Sequence, residues 1–240
     1  MTTLSRSIVL LATVPLAALG CESSLPSAGS PDGANAFLVV RHPNDMNDSE
    51  RQIQARLEAA GLDLEIVDDD AFGLPPECDL IVISKTSQSD DLGDRFKPAT
   101  CGIVFWEDNQ QMLGMLSTID NDGSAGTAWH STRDEVVVES GAPDDLRAGL
   151  SGTVRFYQEE AEITWAPDGD LPSTAIVVAY LGEPTNGRTA IYAFEAGALL
   201  ADGTPAAGRR LYFGLYDDTF RLLTPEGLAL FDAAVAWASR

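Results

Sequence analysis

The sequence predicts an α/β fold: an open, mostly parallel sheet with helices on both faces, carrying an inserted β-rich segment. Three observations predict it. Short, apolar, β-branched runs recur from Ala36 onward, and helical patterns lie between the first of them. The middle of the chain switches to strand-like runs at hairpin spacing. The tail then returns to strands and a capped apolar helix.

The elements follow in order. AFLVVR (36–41) is the first run and has the continuous apolar character of a strand buried on both faces. Asn47 or Asp48 can cap a helix over 49–60, with Ile53, Leu57 and Ala60 on one face and Gly61 ending it. LEIVD (64–68) and DLIVIS (79–84) are the second and third strands. The polar stretch with Asp90, Asp91, Gly93 and Asp94 reads as a short helix, and GIVFWE (102–107) as the fourth strand. DNQQMLGML (108–116) reads as a helix capped by Asp108, and 117–128 as a Gly/Asp-rich loop. VVVE (136–139), TVRFYQ (153–158), EITWA (162–166) and TAIVVAYL (174–181) form the inserted β-rich part. RTAIYAFE (188–195) and RRLYFGLY (209–216) are the last strands. Thr224 then caps a helix with Pro225 in its first turn, running through Trp237.

Residues 1–20 stand apart. Arg6 precedes an apolar run, Ile8 to Leu19, that falls short of the ~20 residues needed to span a bilayer but suits a secretory signal. Ala18-Leu19-Gly20-Cys21 resembles a bacterial lipobox, which makes Cys21 the expected lipidation site; an ordinary secretory signal is the alternative. Residues 21–35 are Ser/Pro/Gly-rich and read as a flexible tether, leaving 36–240 as one α/β domain. The expected location is the bacterial cell envelope, with the membrane met through the lipid alone.

Charge narrows the partners. The chain has 15 Lys+Arg against 37 Asp+Glu, a net charge of −22. Loss of the leader removes one cation, Arg6, and no acid, taking −22 to −23. Nucleic-acid binding needs clustered Lys and Arg and is excluded as a function class. The acids are spread through loops and helix faces, so they read as a solvating surface. No cofactor is expected.

Export bears on Cys78 and Cys101, which precede the third and fourth strands. Neighbouring parallel strands start at one edge, so the two can lie within the ~5.5 Å Cα separation of a disulfide. Two buried thiols are the alternative. Neither cysteine has a His or Cys partner at metal-ligand spacing, and no metal is expected. Asp120-Asn121-Asp122-Gly123-Ser124 has the start of a calcium loop, but Ser131 stands where an EF-hand needs Glu.

AFLVVR, DLIVIS, DLRAGLSG (145–152), AIYAFEAGALL (190–200), RRLYFGLYDD (209–218) and GLALFDAAVAWA (227–238) together carry a family resemblance. Residues 36–240 resemble the glutamine-amidotransferase-like, flavodoxin-like fold. They look most like the trehalose-utilisation-type branch, in the version carried by exported bacterial lipoproteins. Enzymes of that superfamily place a Cys or Ser nucleophile on a tight, glycine-flanked elbow. The matching stretch here, Phe105-Trp106-Glu107-Asp108-Asn109, has no Cys, Ser or Gly. The resemblance therefore implies the fold without thiol-dependent glutamine hydrolysis.

Open α/β sheets bind ligands at the C-terminal edge of their strands. The strand ends supply Glu107, Glu195, Ser84 and His42 as catalytic candidates. Arg41, Lys85, Asp108, Tyr216, Asp217 and Asp218 are the ligand-binding candidates. Paired carboxylates with a Ser or His can run acid–base hydrolysis. The same residue types are also what caps and turns contain. His130 reads as half of a partly buried aromatic pair with Trp129. Trp129, Trp165 and Tyr157 read as packing in preference to a sugar-stacking face.

The expected function is a lipid-anchored envelope protein whose domain is catalytically degenerate and serves as a binding or interaction module. Its ligand would be a small molecule, a glycan or a protein. The alternative is a carbohydrate-active hydrolase or isomerase working through strand-end carboxylates.

Overall fold

The computed structural model describes residues 33–70, 77–109, 113–115 and 129–240. Residues 1–32, with the leader, the lipobox and Cys21, lie outside them. So do the calcium-loop-like stretch at 120–124 and most of the expected helix over 108–116.

Eleven strands form one sheet: β1 Asn35–Val40, β2 Asp63–Asp68, β3 Leu80–Ile83, β4 Gly102–Phe105, β5 Trp129–Arg133, β6 Glu135–Val138, β7 Gly152–Arg155, β8 Ala161–Pro167, β9 Ile176–Tyr180, β10 Arg188–Phe194 and β11 Arg210–Phe213. Among the described residues, four α-helices accompany it: α1 Asp48–Ala59, α2 Ser89–Leu92, α3 Asp144–Arg147 and α4 Pro225–Ala238. The main strand order is β2-β1-β3-β4-β11-β10-β9-β6-β7, with β8 pairing β10 and β5.

The sheet is mixed, which corrects the expectation of a mostly parallel one. β2, β1, β3, β4 and β11 are parallel neighbours. Every pairing from β10 outward is antiparallel. The reason is connection length. A parallel pair needs a crossover of a dozen residues or more, whereas β9 and β10 are joined by the short link 181–187. The inserted β-rich segment therefore extends the parallel sheet as hairpins.

The parallel strands are apolar throughout because both faces are covered. Leu38, Val40, Leu80, Val82 and Val104 pack on one face with Ile53 and Leu57 of α1 and Leu230, Phe231 and Trp237 of α4. Val39, Ile81, Ile83, Ile103 and Phe105 pack on the other with Leu92 of α2 and with Phe96. The alternation of a strand sends successive side chains to opposite layers.

The helix ends match their sequence signals. Asn47 caps α1 and forms a reciprocal box with Glu50. Thr224 caps α4, its hydroxyl accepting from the Gly227 amide at 3.1 Å, with Pro225 in the first turn. At the opposite edge of the sheet, Cys78 and Cys101 form a disulfide with a Cα separation of 5.7 Å. Parallel pairing of Leu80 with Gly102 puts the two cysteines side by side, as the strand starts imply. The described residues contain no helix long and apolar enough to cross a membrane.

Candidate functional site

A polar cleft of about 750 Å³ opens at the C-terminal ends of the parallel strands. β1 delivers Arg41 and His42, β3 delivers Lys85, β4 delivers Glu107, and the turn after β11 delivers Asp217 and Asp218. Parallel strands end at one edge, so residues far apart in sequence gather there.

Lys85 joins the cleft to a neighbouring charged cluster. Lys85 Nζ lies 3.1 Å from Asp108 Oδ2. His130 Nε2, from β5, lies 3.1 Å from the same oxygen. The His130 and Tyr216 rings meet edge to face at 4.7 Å, and Lys85 Nζ stands 5.7 Å over the Tyr216 ring. Burial works against the Lys85 ammonium, but Asp108, Glu107 and Asp217 outweigh it and hold its pKa above the usual lysine value.

Glu107 is the most perturbed acid here. It is 5% exposed, and its Oε2 accepts from the Asn109 amide at 3.1 Å. Oε1 has no hydrogen-bond partner among the described residues, and Glu107 lines the cleft. Burial pushes its pKa up to about 7; Lys85 and the Asn109 amide oppose the rise, while Asp108 and Asp217 reinforce it.

Several expectations change on contact with this geometry. Asp108 does not cap a helix: residues 108 and 109 are non-helical, and its carboxylate serves Lys85 and His130. Ser84 is not among the residues lining the cleft; its hydroxyl donates to Glu50 Oε1 at 3.0 Å. Glu195 does not join the cluster. β10 runs antiparallel to β11, so its end falls at the opposite edge, where Glu195 pairs with Arg209 at 2.9 Å. The His130 ring touches Asp108 and Tyr216; the side chain of Trp129, its expected partner, lies outside the described residues. Tyr157 is fully buried, its hydroxyl donating to Thr219, and Trp165 packs against the core with Arg188 over its ring. The two offer no shared stacking face.

Glu50 is the main residue that sequence reasoning passed over. It is buried, takes hydrogen bonds from Ser84 and Thr86 on one oxygen, and accepts from the Asn47 amide at 2.9 Å on the other. The signal was present, since Asn47 with Glu50 three residues on is the capping-box spacing. It ties the start of α1 to the end of β3 and so shapes one wall.

The link from β4 departs from a nucleophile elbow in backbone as well as in residue type. Such elbows hold their nucleophile on a sharp, strained turn. Among the described residues Ala148 is the one non-glycine with positive φ, and 105–109 contains none.

No family model matches the chain, and no curated protein matches it. A solved structure is similar to it. That structure is of a protein from Parabacteroides merdae ATCC 43184 described as ThuA-like, with 14% identity, a TM-score of 0.48, and coverage of 86% of this chain and 90% of that one.

Proposed function

We propose that this protein is exported, anchored to the cell envelope by a lipid on Cys21, and binds a small, hydroxyl-rich carbohydrate in its strand-end cleft. The observation that carries the cleft reading is Glu107, a carboxylate only 5% exposed that nevertheless lines an open polar cleft and takes one hydrogen bond, from the Asn109 amide, among the described residues. A carboxylate can accept several hydrogen bonds, and a ligand hydroxyl entering the cleft would supply one more. The mixture of carboxylates, Lys85 and Arg41 lining the cleft gives a sugar both donors and acceptors. The sequence resemblance to the trehalose-utilisation-type branch makes carbohydrates the class to screen first.

Export is supported by the leader and by the disulfide, which is at home in an oxidising compartment. Metabolic labelling with a fatty acid tests the anchor: the wild-type chain incorporates label and the Cys21→Ser chain does not. Thermal shift against a panel of mono- and disaccharides tests the cleft. A sugar that stabilises the wild type and not Glu107→Ala supports binding there. A sugar that stabilises both equally places the binding elsewhere.

A second reading rests on the pKa of Glu107. At about 7, this group can both give and take a proton near neutrality, as a general acid–base needs. His42 and Asp217 line the same cleft and would be its partners in a hydrolase or isomerase. Turnover of a sugar by the wild type, lost in Glu107→Gln, selects this reading over pure binding.

A further inference from the structure

The charge left over inside the cleft identifies the kind of carbohydrate, given the reading that the cleft is a binding site. Most charged groups there are already compensated. Lys85 is neutralised by Asp108 at 3.1 Å, and Asp218 by Arg221 at 3.1 Å. Glu50 is bonded by Ser84, Thr86 and the Asn47 amide. The carboxylates that remain without a side-chain partner among the described residues are Asp45, Asp90 and Asp217, together with the free oxygen of Glu107. Against them stands Arg41, exposed, with no side-chain partner among the described residues, and beside it His42.

We infer that this cleft takes a cationic polyol, an amine-bearing sugar or sugar alcohol, with its ammonium group against Glu107 and Asp217. Each ligand class meets a different balance. An anionic sugar would bring its charge among four uncompensated carboxylates to reach one exposed guanidinium. A neutral sugar would add no counter-charge to the one that Lys85, shared with Asp108, already gives Glu107. An ammonium adds a counter-charge where the field is least screened, because Glu107 is 5% exposed and Asp217 faces the same space. Arg41 is then left for a ligand hydroxyl at the rim.

A protonation coupling follows. Burial holds the Glu107 pKa at about 7 in the free protein, and a bound ammonium lowers it. Binding therefore releases a proton near neutral pH, and affinity rises as pH passes upward through 7. A neutral sugar has no such coupling, and an anion reverses it.

Titration calorimetry on the full chain decides this with three probes of one chain length: N-methylglucamine, sorbitol and gluconate. At about pH 8 and low salt, N-methylglucamine is expected to bind at least about tenfold more tightly than sorbitol or gluconate. Its affinity is expected to fall by about threefold or more at about pH 6. Glu107→Gln should erase most of that preference and the pH dependence; Asp217→Asn, at an exposed position, should reduce the preference in a chain that folds normally. Equal or tighter binding of sorbitol or gluconate overturns the inference and leaves the carbohydrate-binding reading in place. Preference for the amine that survives both substitutions overturns the assigned site. Binding of none of the three, in a wild-type chain with its normal thermal transition, overturns the binding reading and the inference with it.

Discussion

Lys85, which lines the strand-end cleft, meets Asp108 at 3.1 Å, with side chains 16% and 15% exposed. Their pairing sets the state of Glu107, because Lys85 lowers that carboxyl's pKa and Asp108 raises it. The two substitutions should therefore act in opposite directions. Lys85→Met leaves Glu107 buried without its cation, and its pKa is expected to climb above about 7. Asp108→Asn removes a like charge and frees Lys85 for Glu107, and the pKa is expected to fall below that value. Carboxyl-carbon NMR titration of the two variants reads both shifts; movement of both in one direction would contradict the arrangement.

Glu107 also makes stability depend on pH. Its pKa rises from 4.5 to about 7 on folding, so the folded state binds the proton more tightly than the unfolded chain does. The sign follows: this contribution is intact below about pH 4.5 and is lost as pH rises through about 7. A rise of this size corresponds to about 3 kcal/mol. Glu107→Gln is expected to stabilise the protein by about 1–3 kcal/mol near pH 8 and to have little effect near pH 4.5. Urea unfolding at the two pH values checks it.

Much of this site was legible before any coordinates, and the reason is geometric. Arg41, His42, Lys85, Glu107, Asp217 and Asp218 all follow parallel strands, and counting strand ends was enough to bring them together. Glu195 failed because its strand reverses, and strand direction is not written in an apolar run. His130 was missed for a related reason. It sits on β5, after a Gly/Asp-rich stretch of sequence, and WHSTR carries no alternating apolar pattern to announce a strand. β5 is held through β8, so His130 reaches Asp108 by tertiary pairing alone. The helix caps were legible at Asn47 and Thr224, where a local hydrogen bond decides. Asp108 looked the same in sequence and was claimed by Lys85 instead.

The disulfide is expected to matter for stability. Cys78 and Cys101 are separated by 23 residues, and closing a loop of that length is worth about 3 kcal/mol in the chain-entropy model. The loop contains β3 and α2, so the link restrains the starts of both central strands. The Cys78→Ser, Cys101→Ser double variant should lose about that amount in urea unfolding, with the wild type under reducing conditions matching it. A reduced chain as stable as the oxidised one would show that the unfolded chain gains nothing from being opened.

Gly102 is the position where the sheet tolerates least. It opens β4, and there the carboxyl end of α4 crosses directly over it. A Cβ at residue 102 would stand 2.0 Å from the Ala238 carbonyl oxygen and 2.6 Å from its carbon. Both neighbours are backbone, so no side chain can swing aside. Relief requires α4 to lift from β4 and β11, the strands it packs against, which exposes Trp237, Val235 and Phe231. Gly102→Ala is therefore expected to cost about 3 kcal/mol or more, beyond the usual ~1–3 kcal/mol of an overpacked core, despite adding one methyl group. Gly93→Ala is the control for glycine replacement with an open environment: its φ is +53 and nothing lies within 4 Å of the new carbon. Its cost should stay near that of the glycine-favouring backbone alone (φ +53, ψ −144), about 1–3 kcal/mol. Thermal unfolding of the pair separates collision from backbone strain. Equal losses in the two variants would mean that α4 yields at Ala238 without disturbing its packing.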